Sequence, residues 1–70
     1  MSEHCAHIID QLIEQRHNKG MTQNDLAQAT CLTQSVIARL ESKKAVPRLN
    51  TVLKIATALE CKLEIVPLLQ

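Results

Sequence analysis

Apolar residues recur along this chain with a helical period over most of its length and an alternating one near its end. Between Glu3 and Lys19, Ile8, Ile9, Leu12 and Ile13 return at helical spacing, with Asp10, Gln11, Glu14 and Gln15 between them. Ser2 is placed to cap this segment and Gly20 to end it, since glycine reaches positive φ without steric cost. The pattern predicts a first helix over about residues 3–18. Thr22 opens a second helix of about two turns, with Asp25 three residues on completing an approximate capping box and Leu26, Ala27 and Thr30 facing inward. Thr33 opens a third, ending near Glu41-Ser42, with Val36, Ile37 and Leu40 inward and Gln34, Ser35, Ala38 and Arg39 sharing the other face. In "KKAVPRL", Pro47 disfavours helix at Val46 and marks a loop. Asn50 is then the expected cap of a fourth helix, whose apolar positions are Val52, Leu53, Ile55, Ala56 and Leu59. In "CKLEIVP", Lys62 and Glu64 alternate with Leu63 and Ile65, which predicts a short strand over 62–66; a helix-4 extension with a disordered tail is the competing reading.

Two short helices joined by a tight turn at Thr30-Cys31-Leu32 make a helix-turn-helix. Both open with Thr-Gln, eleven residues apart. A helix N-terminus presents free N–H groups and partial positive charge, which suits phosphate, and a Gln at the first helical position adds a donor beside them.

Seventy residues form one domain, over 1–70. A chain this short removes only roughly 60% of its unfolded surface from water. With no Phe, Tyr or Trp, its core must come from Leu, Ile, Val, Ala and Met. The net charge of +1 carries no bulk signal, but its distribution does. Arg39, Lys43, Lys44, Arg48 and Lys54 cluster against a single Glu41, the footprint of a phosphate-contact site or of a solvated lysine face. Cys5, Cys31 and Cys61 have no tight metal spacing, and their odd number argues against a disulfide framework. His4, Cys5 and His7 invite a metal reading, but a frayed first turn accounts for them, and no metal site or cofactor is expected. No catalytic constellation is present, so an enzyme is not expected. No signal peptide or membrane-spanning run appears, and the expected setting is the reducing cytoplasm.

Taken together, "MTQNDLA", "LTQSVIARLE", the "VP" after Glu41 and "LNTVLKIATALE" resemble the Cro/phage-repressor (Cro/C1-type, or Xre) helix-turn-helix family over roughly residues 8–60. The resemblance implies an all-α, compact four- to five-helix lambda-repressor-like domain that binds double-stranded DNA, usually as a dimer on a partly palindromic operator. It implies base reading by Gln34, Ser35, Ala38 and Arg39, and phosphate contact by Arg16, Gln23, Thr33, Lys43, Lys44 and Arg48. It further implies that Arg16 bridges to Glu41 and is thereby oriented near a phosphate. The family commonly has Gly where this chain has Cys31, Lys43 and Glu60; positive φ there costs a non-glycine residue on the order of 1 kcal/mol. Cys31 is expected as a small buried residue of the turn.

A lone strand needs a partner for its backbone, so the 62–66 segment is expected to pair antiparallel with a second copy, with Leu63, Ile65 and Leu68 at the contact. The expected function is a homodimeric repressor acting by occupying its operator, since 70 residues leave no room for a ligand-sensing module. The alternative is an antitoxin that also binds a toxin protein; its strand-ending tail resembles those of several family antitoxins. A module that has lost DNA binding is the third reading.

Overall fold

The computed structural model describes residues 1–69. Four helices follow one another: α1 (Glu3–Asn18), α2 (Gln23–Thr30), α3 (Gln34–Glu41) and α4 (Leu49–Ala58). Each of the first three starts at its expected cap. Ser2 Oγ accepts from the Cys5 N–H at 3.2 Å, Thr22 Oγ1 from Asp25 at 3.0 Å, and Thr33 Oγ1 from Val36 at 3.2 Å. At Thr22 the box is closed, because the Thr22 N–H donates back to Asp25 Oδ2 at 2.9 Å. This holds the Asp25 carboxyl below its ordinary range.

The helices end on left-handed residues. Gly20, Cys31, Lys43 and Glu60 all have positive φ, 67°, 59°, 61° and 59°. At three of them the next residue donates back across the last turn: Met21 to the Arg16 carbonyl, Leu32 to Ala27, and Cys61 to Ala56. This is the Schellman arrangement, which satisfies carbonyls that would otherwise lack a donor. The geometry normally given to glycine is thus kept by Cys31 and Glu60. Lys43 donates to the Leu40 carbonyl, but the following Lys44 N–H turns to Ser42 Oγ instead.

These ends fold the helices around one core of Ile9, Leu12, Leu26, Ala27, Ile37, Leu40, Val52, Ile55, Ala56 and Leu59. α2 packs on α3 and α4, and α1 packs on α3. Thr30 is buried with them; its hydroxyl is satisfied by the Leu26 carbonyl at 2.8 Å.

Four expectations are corrected. α4 begins at Leu49, with Arg48 as N-cap and no side-chain capping bond, so Asn50 lies inside the first turn. That register lets the Val52 N–H reach the Arg48 carbonyl at 3.1 Å while Val52, Ile55 and Ala56 enter the core. Core registration outweighs the cap, and it leaves Leu53 exposed. Cys31 is exposed: it lies just past the last helical residue, and Thr30 is the residue buried there. Val36 is 41% exposed, so only Ile37 and Leu40 anchor α3. Among the described residues there is no strand: the 62–66 segment forms neither helix nor sheet, as expected of a chain whose backbone has no neighbouring strand to pair with.

Candidate nucleic-acid interface

α3 is eight residues long and is held from behind. Ile37 is fully buried and Leu40 nearly so, whereas Gln34, Ser35 and Arg39 are exposed and Ala38 is half-buried. A helix of this length has one anchored stripe, and fixing it aims the rest outward. Arg39 forms no ion pair among the described residues; the nearby Ser42 hydroxyl donates to its carbonyl instead, at 2.7 Å.

The two glutamines that follow the Thr caps are joined. Gln34 Nε2 donates to Gln23 Oε1 at 2.8 Å, and Gln23 Nε2 donates to Glu41 Oε1 at 3.0 Å. Glu41 in turn receives a two-pronged bond from Arg16, with Nε to Oε2 at 2.7 Å and Nη2 to Oε1 at 2.9 Å. Arg16 Nη1 reaches the Met21 carbonyl at 2.8 Å, and Nη2 lies 3.2 Å from His17 Nε2. The chain Arg16–Glu41–Gln23–Gln34 runs from α1 through the end of α3 and the start of α2 to the first residue of α3. The planar guanidinium makes it rigid, because both of its prongs are fixed at once.

The expected bridge between Arg16 and Glu41 is therefore present, with both side chains only 10% exposed. Arg16 is so enclosed that its guanidinium is engaged by Glu41 and the Met21 carbonyl. Gln23 is half-buried and likewise engaged at both ends of its amide. The link between Gln23 and Gln34 was not foreseen. Its only trace in the sequence is the repeated Thr-Gln, which puts the two amides at the same position of two adjoining helices.

The basic residues divide. Lys44 and Arg48 are exposed, as is the α3 cap Thr33. Lys43 is half-buried and paired with Asp10 of α1. Arg39 and Arg48 line the same groove, between α3 and the loop that leads into α4. Leu63, Ile65 and Leu68 lie in the C-terminal segment, 38%, 100% and 87% exposed. Among the described residues no three His, Cys, Asp or Glu side chains gather as a metal site, and no helix is long and apolar enough to cross a membrane.

Comparison with known proteins agrees with this geometry. The helix-turn-helix family matches residues 12–66. Over 61 residues the chain is 38% identical to an uncharacterized HTH-type transcriptional regulator of Haemophilus influenzae, a stretch covering 87% of this chain and 62% of that protein. It thus spans less than two thirds of that relative. A solved structure described as a toxin–antitoxin module from Streptococcus pneumoniae superposes with a TM-score of 0.73 at 44% identity, covering 89% of this chain and 68% of that one. With two capped helices set across a tight turn and a family match over most of its length, the chain belongs to the Cro/C1-type helix-turn-helix family.

Proposed function

We propose that the protein is a sequence-specific double-stranded DNA-binding regulator that represses transcription as a homodimer on a partly palindromic operator. The observation that carries this reading is α3 itself: Gln34, Ser35 and Arg39 stand outward while Gln23 holds the Gln34 amide in place. A glutamine amide can pair bidentately with adenine, and an arginine with guanine, in the major groove. Lys44, Arg48 and Thr33 supply backbone contacts, which position the domain but carry no sequence information. Arg16, Gln23 and Glu41 act behind them, as positioning residues.

The dimer contact in this reading is the C-terminal segment, where Leu63, Ile65 and Leu68 are exposed together. Half-sites would then lie roughly 34 Å apart, one DNA turn. Deleting residues 62–70 should convert a dimer to a monomer in light scattering; an unchanged dimer removes this segment from the interface.

The test of function is selection of binding sites from a random duplex pool. Log affinity for the selected site should fall with log salt by about 0.9 per phosphate neutralised. Arg39→Ala should relax preference at one base pair by about 1–3 kcal/mol, while Lys44→Ala should weaken all sequences alike. A pool that yields no enriched duplex rejects the reading.

A second reading, an antitoxin that binds a toxin and represses its own operon, is favoured by the 44% identity to a chain of the toxin–antitoxin module. The two readings share the DNA face. Co-purification of a protein encoded beside this one separates them.

A further inference from the structure

We infer that Val36 and Val46 form an apolar receptor for the 5-methyl group of a thymine, beside the base pair that Arg39 reads. The inference rests on the DNA-binding reading and adds a base that it lacks. Helical periodicity assigns Val36 to the core, yet it is 41% exposed beside the fully buried Ile37. Val46, across the groove, is 69% exposed. Leu40, Ala45, Pro47 and Thr51 also line this groove, together with Arg39 and Arg48.

An apolar surface flanked by two guanidinium groups suits a ligand that offers apolar and anionic or acceptor groups together. Duplex DNA does so in one place. The thymine methyl is the one apolar group among the base-edge features of the major groove, and phosphates and guanine acceptors lie on either side of it. Placement agrees. Val36 is the third residue of α3, in the N-terminal part of the recognition helix that enters the groove. Val36 and Arg39 are three residues apart, hence neighbours on the helix surface, so the two would meet adjacent base pairs. Neither valine is among the buried core residues, and neither is needed to explain the fold.

The experiment replaces each thymine of the selected operator in turn with deoxyuridine, which deletes only the methyl group. One position in each half-site should lose about fourfold in affinity, the equivalent of about 0.8 kcal/mol for one buried methyl-sized group. Val36→Ala should lower affinity for the thymine operator and abolish the thymine–uracil difference at that position alone. Val36→Thr, which keeps the shape and exchanges a methyl for a hydroxyl, should also reduce the difference, and Val46→Ala should reduce it in part. An unchanged melting temperature shows that these variants are folded. Uracil tolerated at every position, or full methyl sensitivity retained in Val36→Ala, overturns the inference while leaving DNA binding intact. So does retained methyl sensitivity with loss of a co-expressed protein partner, which would assign the groove to an acidic peptide. Failure of any duplex to bind with salt dependence is a separate result, and it rejects the parent reading as well.

Discussion

α2 and α3 begin with the same dipeptide and have the same length, but they are held differently. α2 buries Leu26, Ala27 and Thr30, closes its first turn with a reciprocal Thr22–Asp25 box, and ends in a full Schellman turn. α3 buries only Ile37 and Leu40, has a one-way cap at Thr33, and ends at Lys43 without the longer back-bond. The Gln after each cap shares this asymmetry: Gln23 is half-buried with both ends of its amide engaged, whereas Gln34 is exposed. Identical local chemistry therefore yields a fixed scaffold in one helix and a presented surface in the other. What distinguishes them is how much of each helix the core holds.

Glu41 joins the two helices, so its removal should have the largest effect. Glu41→Ala leaves the enclosed Arg16 without its carboxylate and releases Gln23 and, through it, Gln34. Urea unfolding should show a loss of about 3 kcal/mol, as for other enclosed pairs stripped of one partner. A loss under about 1 kcal/mol, typical of a surface pair, would mean that the network does not unify α2 and α3.

A smaller change of opposite sign is expected at the turn between them. Cys31 holds φ 59° and ψ 27° and is exposed, so it tolerates the left-handed conformation without gaining packing in return. Cys31→Gly should raise stability by about 1 kcal/mol in the same measurement. Unchanged or lower stability would show that the thiol contributes something beyond the turn.

The smallest effect concerns the box that α2 has and α3 lacks. The Thr22 backbone N–H, and secondarily its side chain, hold the Asp25 carboxyl below its ordinary range. The folded state therefore takes up this proton less readily than the unfolded one. The resulting stabilisation is complete above the ordinary aspartate range and is lost as pH falls through the lowered folded value. Glu60, held low by the hydrogen bond and charge of Lys19, acts in the same direction. Thermal melts of Asp25→Asn should decline less on acidification than those of the parent. Parallel declines would remove Asp25 from the acid response.

Legibility from sequence followed the range of the interactions. Caps, helix ends and the helix-turn-helix were readable because each depends on residues three to five apart: Ser2 with Cys5, Thr22 with Asp25, Arg16 with Met21. The Arg16–Glu41 bridge, 25 residues apart, came through family resemblance rather than periodicity. The exposure of Val36 was not readable, because a pattern assigns a residue to a face but not to how far the neighbouring helix extends over it. Asn50 looked like a cap for its chemistry and lost to the packing register of Val52. The alternation of Lys62, Leu63, Glu64 and Ile65 looked like a strand, but alternation supplies no partner for the backbone.

By itself the sequence determined four helices and their order, the caps of the first three, and a polar stripe on the third, because hydrogen bonds within a turn and the helical period depend only on nearby residues. The tertiary structure alone decided that Gln23 holds Gln34, that Arg16 is enclosed with Glu41, and that Val36 and Val46 are left exposed around one groove. Those outcomes depend on which surfaces meet, and close packing settles that only when all four helices are in place.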